Sequence, residues 1–242
     1  MERWAGRVAV VTGASSGIGA SITEELVKKG LKVAGLARRV ERVEELAKSL
    51  KSEKGSLKAL KCDVSKEEEV KETFQWVKNN LGGIDILVNN AGVAFACSPS
   101  DGLTEQWKTI LDLNVLGLSI CTREALNVMK EKGVDDGHIV HINSILGHIP
   151  PPNERIAMYT ASKHAVTALT EGLRRDLVNK KSKIRITSVS PGLVRTEMPT
   201  KELLEKMTSL NPEDIANAVL YALGTPPHVQ IHEMTVLPVG SP

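Results

Sequence analysis

The residues best equipped for chemistry are a tyrosine and a lysine four positions apart, in Tyr159-Thr-Ala-Ser-Lys163. On a helix that spacing puts both side chains on one face, phenol beside ammonium. A free phenol has a pKa of about 10, too high for efficient proton exchange at neutral pH. A fixed positive charge nearby favours the phenolate and lowers that value, which is the tuning a general acid–base needs. The chain has two tyrosines, and this one has polar neighbours. Alone, the pair also fits an aromatic core residue beside a surface lysine. Ser144, in Asn143-Ser-Ile-Leu-Gly147, follows an apolar run. It can hydrogen-bond a substrate oxygen and share the proton's path with Tyr159, although serine is common at strand exits. Asn114 shares a helix face with Trp107, Leu111 and Leu118. An amide on an apolar face needs a partner: it could hold a water, bend the helix or be a satisfied structural residue.

A second kind of chemistry is written near the N-terminus, in Thr12-Gly-Ala-Ser-Ser-Gly-Ile-Gly19. Gly13, Gly17 and Gly19 permit a tight turn, close approach of backbone to a phosphate, and close helix–strand packing. The helix that follows offers free amides and the positive end of its dipole to an anion. Glycines alone would make only a flexible turn; placement between the first strand and the first helix makes this one a nucleotide-binding turn. The second apolar run ends Gly35-Leu-Ala-Arg38-Arg39. A site selecting NAD would put a carboxylate near Leu36 or Ala37 for the ribose hydroxyls. Two guanidinium groups follow instead, and a guanidinium pairs with phosphate in bidentate fashion and stays charged. NADP(H) is therefore the expected cofactor, against the alternative of a solvated basic pair.

These residues need strand ends and helix starts to bring them together. Short apolar runs supply the strands: Val8–Thr12, Leu31–Leu36, Leu57–Lys61, Ile84–Val88, His138–Asn143, Ile184–Val189 and Met234–Leu237. Amphipathic stretches alternate with them, the longest at about Thr104–Lys130 and Arg155–Val178. The alternation predicts βαβ units: an α/β, Rossmann-like, doubly wound and mostly parallel sheet with helices on both faces. Ligands then sit outside the carboxyl ends of the strands, where every motif above falls. No linker or repeat interrupts the chain, so one domain over 1–242 is expected. Ser65 and Glu68 have the spacing of a capping box for the third helix, which would leave Asp63 free for another task.

Composition excludes several function classes. The net charge is +2, and Lys and Arg are scattered, which argues against a nucleic-acid face. No apolar run reaches membrane-spanning length, and the stretch before Val8 is too short for a signal peptide. Cys62, Cys97 and Cys121 form no close pair, which fits a reducing compartment. His138 and His141 lack a second ligand pair, so no metal is expected. A cytoplasmic protein without stable membrane insertion follows.

Taken together, Thr12–Gly19, Asn89-Asn-Ala-Gly92, Asn114, Ser144, Tyr159–Lys163 and Pro191-Gly192 stand in the order found in the short-chain dehydrogenase/reductase family, which the chain resembles over nearly its whole length. The resemblance implies roles. Tyr159 would be the acid–base at the carbonyl oxygen. Lys163 would lower its pKa and hold the nicotinamide ribose. Ser144 would orient the substrate oxygen, and Asn114 would hold a relay water linked to Lys163. Ser15, Ser16, Ile18, Arg38 and Arg39 would contact the pyrophosphate and 2′-phosphate, and Asp63 and Val64 the adenine. Asn90, Ala91 and Gly92 would line the adenosine ribose. Pro191, Gly192, Val194 and Thr196 would surround the nicotinamide amide and phosphates. Assembly as a homodimer or homotetramer through the helices holding Asn114 and Tyr159 is also implied.

Finer features, among them Ser119-Ile-Cys-Thr-Arg-Glu124 and Pro227-His-Val-Gln-Ile231, resemble the sub-branch of farnesol dehydrogenase-like proteins and broad-specificity hydroxysteroid and 3-ketosteroid reductases. The stretch Thr196–Asn211 is short for the lid of that branch, which implies a more open pocket. The expected walls are Phe95, Ile145, Leu146, Ile149, Met158, Leu193, Val194 and Met198. Such a lining suits a hydrophobic alcohol, aldehyde or ketone, isoprenoid or steroid-like, rather than a charged hydroxy acid. The competing readings are a carbonyl reductase of broad specificity, a nucleotide-binding sensor without turnover, and a sugar-nucleotide epimerase. The last needs a longer C-terminal region than the chain leaves after Gly192.

Overall fold

A computed structural model describes residues 1–241; Pro242, the last residue of the expected domain, lies outside them. The strands are β1 (Val8–Thr12), β2 (Lys32–Ala37), β3 (Ser56–Lys61), β4 (Ile86–Asn89), β5 (His138–Ile142), β6 (Arg185–Pro191) and β7 (Glu233–Val236). They form one sheet in the order β3-β2-β1-β4-β5-β6-β7, parallel throughout. Every residue of β1, β4, β5 and β6 is buried. Burial on both faces is what a parallel sheet covered by helices demands, and it explains why β1 and most of β4 are apolar without alternation, while the polar residues of β5 and β6 are buried.

Successive strand residues feed opposite cores. Ala9 and Val11 join Ile86, Val88 and Val140 under α1 (Gly17–Lys28), α2 (Val40–Ser49) and α8 (Pro212–Gly224). Val8 and Val10 join Leu87 and Ile139 under α3 (Glu67–Leu81), α5 (Leu118–Glu131) and α6 (Ala157–Asn179). Strand order reverses beside β1, between β1 and β4, so the crevice of a doubly wound sheet opens there. No helix among the described residues is long and apolar enough to cross a membrane.

Four local expectations change. The long helix expected at 104–130 is divided: α4 (Thr104–Leu111), a π turn at Asp112–Gly117, then α5. The π turn breaks the helical phase, so Leu111 is 41% exposed while Asn114 is 2% exposed, and the shared face does not exist. The capping box at Ser65 does not form. Its amide and hydroxyl both donate to Asp63 Oδ1, at 3.1 and 2.8 Å, and α3 begins after Lys66. Asp63 Oδ1 accepts both bonds and is engaged in the turn before α3, not free. Helix α8 was not foreseen, yet it is well signalled: Asn211 and Asp214 cap its start reciprocally, and Pro212 follows the cap. A short α7 (Lys201–Lys206) lies inside the expected lid. His138 and His141 are buried in β5 and bond threonine hydroxyls, Thr187 at 2.8 Å and Thr170 at 2.9 Å, and burial pushes each down to about 3.

Candidate active site

The turn after β1 is held by contacts that only glycine allows. Gly13 has φ +67°, and a Cβ on Gly19 would stand 2.3 Å from the Gly13 carbonyl oxygen. Asn90 braces this turn from below. Its side-chain amide donates to the carbonyls of Thr12 and Gly13 at 2.9 and 3.3 Å. The Thr12 hydroxyl in return accepts from the Asn90 and Ala91 amides, each at 3.0 Å. The side chain of Asn90 is therefore spent on the turn, leaving backbone to line any ribose. Ser16 precedes α1 without capping it, and the first turn of α1 carries no acidic residue. The positive end of the helix dipole is thus left uncovered beside Ser15 and Ser16. Arg39 reaches Ser16 Oγ at 3.2 Å, and Arg38 is exposed next to it. Ile18 packs against the core.

On the other side of the crevice, Ser144 caps a short 3-10 turn, Ile145–Gly147, its hydroxyl accepting from the Leu146 amide at 3.1 Å. That leaves the hydroxyl proton to donate, and interaction with Ser144 favours the ionised form of Tyr159. Tyr159 stands in the first turn of α6, with Lys163 one turn later. Lys163 is buried, donates to the Ile142 carbonyl at 2.9 Å, and its ammonium lies 5.6 Å from the Tyr159 ring centre. Burial pulls Lys163 down to about 8. Burial also pushes Tyr159 up to about 12, opposed only by Ser144. Desolvation of the phenol outweighs the pull of the Lys163 ammonium, which is turned toward a backbone carbonyl. At neutral pH the phenol carries its proton.

Asn114 occupies the π turn. It accepts from the Val93 amide at 2.9 Å, donates to the Val93 carbonyl at 2.9 Å, and donates to Ser162 Oγ at 3.1 Å. Its contacts run to the segment after Gly92 and to the serine next to Lys163, not to Lys163 itself. Pro191 ends β6, and Gly192 donates to the Val236 carbonyl at 2.8 Å. Val194 is 6% exposed and lies in the core, bridged to Leu210. It is not a pocket wall. Val64 is likewise 6% exposed and packs in the opposite core, so only its backbone can face a ligand. Phe95, Ile145, Leu146, Met158 and Leu193 are partly exposed, and Ile149 and Met198 are 43% and 49% exposed. Thr196 Oγ1 accepts from the Met198 amide at 3.3 Å.

Sequence reasoning missed two participants. His148 Nε2 stands 3.0 Å from Ser190 Oγ and 3.4 Å from Glu233, tying the Ser144 turn to the end of β6. Glu197 bonds Arg39 at 2.9 Å and Arg42 at 2.7 Å. Its only signal in the chain is adjacency to Thr196.

This geometry has known counterparts. Farnesol dehydrogenase of Aedes aegypti is 53% identical over 245 residues, covering 99% of each chain. Dehydrogenase/reductase SDR family member 11 of Mus musculus is 48% identical over 98% of this chain and 96% of its own. Among solved structures, the closed form of a serine dehydrogenase complexed with NADP+ superposes with a TM-score of 0.87 at 32% identity, covering 97% of this chain and 96% of that one. A short-chain dehydrogenase from Burkholderia cenocepacia in complex with NADP gives 0.87 at 28% identity, covering 97% of each. Residues 7–206, from before β1 into α7, match the family described as short chain dehydrogenase, and with both crevice walls carrying its motifs the chain belongs to that family.

Proposed function

We propose that the protein is an NADP(H)-dependent oxidoreductase that transfers a hydride between the nicotinamide and a hydrophobic alcohol or carbonyl of isoprenoid or steroid-like chemistry. The observation that carries the reading is the convergence of Ser144, Tyr159 and buried Lys163 at the strand ends beside exposed apolar side chains. The donor set fits the cofactor. An uncovered helix N-terminus with Ser15 and Ser16 suits a pyrophosphate, and Arg38 and Arg39 suit a 2′-phosphate. Lys163 has two ammonium protons beyond the one given to Ile142, enough for two ribose hydroxyls. Asp63, Val64, Asn90, Ala91 and Gly92 would line the adenosine side, and Pro191, Gly192, Val194 backbone and Thr196 the nicotinamide side.

Bound there, the nicotinamide supplies or accepts the hydride. In reduction, Ser144 Oγ donates a hydrogen bond to the carbonyl oxygen and holds it beside Tyr159. Tyr159 Oη gives its proton to that oxygen as the carbon gains the hydride, and solvent later restores the proton. Lys163 stabilises the phenolate left behind. Asn114 holds Ser162, and through it the start of α6, in place. The Aedes farnesol dehydrogenase supports an isoprenoid substrate, and the apolar side chains at the crevice support it independently. A cytosolic location belongs to this reading, as does assembly as a homodimer or homotetramer. Leu169 and Val178 on α6 are 39% and 61% exposed and suit such an interface. Light scattering after size exclusion tests the assembly, and a clean monomer ends it.

The test of the function is NADPH consumption with a panel of hydrophobic and charged carbonyls, run beside NADH. The reading requires NADPH preference and efficiency rising with apolar bulk. Efficiency that rises with substrate charge sinks the substrate class, and tight NADPH binding without turnover on any carbonyl points to a sensor.

A further inference from the structure

Glu197 pairs with Arg39, the arginine that the proposed function assigns to a 2′-phosphate, and with Arg42. It follows β6 by six residues, in a loop closed at its base: Arg195 donates to the Leu210 carbonyl and Leu210 to the Leu193 carbonyl, at 2.8 and 2.9 Å. From that base Thr196 lies against the glycine-rich turn, its methyl 2.9 Å from where a Cβ on Gly17 would stand. Glu197 then spans to α2. One carboxylate oxygen takes Arg42 at 2.7 Å, the other takes Arg39 at 2.9 Å, and the same Arg39 nitrogen touches Ser16 at 3.2 Å. All three charged side chains are solvent-accessible, with exposures of 41% to 55%. The arrangement is two guanidinium groups around one anion, beside a serine hydroxyl and a helix start. That is the chemistry of a phosphate site, and the protein's own carboxylate fills it.

We infer that Glu197 is a specificity-determining residue: an internal rival of the 2′-phosphate for Arg39 and Arg42. The inference rests on the reading that Arg39 receives that phosphate. A phosphate monoester carries close to two negative charges and three acceptor oxygens, against one charge and two oxygens for the carboxylate. The phosphate therefore displaces Glu197, at a cost in affinity that a cofactor lacking the phosphate does not meet. Glu197 thus trims the preference for NADP(H) over NAD(H). It also links cofactor choice to the loop 195–209, since the 2′-phosphate releases that loop from α2 and NAD(H) leaves it fastened.

The experiment is calorimetric binding of NADPH, NADH and adenosine 2′,5′-bisphosphate to the wild-type protein, Glu197→Gln and Glu197→Ala. An exposed ion pair is a weak competitor, so the expected gain is modest. Both variants should bind NADPH and the bisphosphate about three- to tenfold more tightly, with NADH changed less than about twofold. The inference is overturned if NADPH and NADH shift together, if neither shifts, or if NADPH weakens. Wild-type protein that binds NADPH no more tightly than NADH would instead remove the 2′-phosphate reading itself. Wild-type preference for NADPH that the variants leave unchanged would keep that reading and remove only the role of Glu197.

Discussion

The two ends of the sheet differ in how their charged side chains are paired. At the amino ends of the strands, Arg7 donates to Asp85 at 2.8 Å and grips Asp136 with both terminal nitrogens at 2.7 and 2.6 Å. Asp85 also takes the Val8 amide at 2.8 Å. Arg3 and Arg7 flank the Trp4 ring, at 4.2 and 4.7 Å, and the indole donates to the Leu223 carbonyl. Hydrogen bonding to Arg7 holds Asp136 below the usual carboxylate range. At the carboxyl ends, Lys163 is buried against a backbone carbonyl, and burial shifts both Lys163 and Tyr159 toward their neutral forms. At the amino end the Arg7, Asp85 and Asp136 cluster satisfies its charges internally and gains stability from them, even though Arg3 Nε and Arg185 Nε beside it are buried without partners. The other holds polar groups short of partners, which costs stability and leaves them for a ligand.

The division can be broken most directly at Tyr159. Tyr159→Phe removes the proton and little packing, so turnover should drop by about 10²–10⁴-fold. NADPH affinity and the melting temperature should stay near wild type; retained turnover would dismiss Tyr159 as the acid–base. Lys163→Met comes next. Steady-state rates should fall more than about tenfold, since the phenolate loses its stabilising charge. The stability effect has a defined sign. Lys163 falls to about 8 in the folded protein from 10.5, so folding disfavours its charged form. That penalty is full below about pH 8 and fades as pH rises toward 10.5. Urea unfolding should therefore favour the methionine variant more at pH 7 than at pH 10, and a difference that widens with pH would contradict the burial argument. For the same reason the wild-type rate of carbonyl reduction should decline as pH rises through about 8.

The smallest effect on chemistry is expected at the opposite end. Asp85→Ala removes bonds to Arg7 and to the Val8 amide, which should cost about 1–3 kcal/mol of stability by denaturant titration. kcat should remain within about twofold. If Asp85→Ala altered kcat while Tyr159→Phe altered stability, the contrast between the ends would collapse.

The parts legible in the sequence were those fixed by local spacing. Tyr159 and Lys163 declare themselves because a helix repeats every 3.6 residues, and the glycines of the first turn because strand and helix flank them. Val194 misled because an apolar side chain reads the same in a wall and in a core. Ser65 misled because its amide and hydroxyl turn back to the Asp63 carboxylate, and α3 starts after Lys66 without a side-chain cap. The pairing of Arg39 with Glu197 spans 158 positions, and only the fold brings them together. The rise in the Tyr159 pKa depends on how far the phenol is enclosed, which no pattern of residue types encodes. Helix α8 is legible in the sequence, since Asn211-Pro-Glu-Asp214 is a complete start signal.

The π turn at Asp112–Gly117 makes chain length itself a carrier of information. In an α-helix each residue advances the azimuth by about 100°, so the first residue sets the direction of every later one. A π turn resets that count. Asn114 is aimed at Val93 on one count, while Ile120, Cys121 and Ala125 are aimed at the core on another. Deleting a single residue within this turn would merge the two counts. The helix would then surrender either the Asn114 bonds or the inner face of α5, whatever residues remained. Point substitutions at Val115 or Leu116 should be absorbed where a one-residue deletion is not, an asymmetry that a library of variants across the segment would expose.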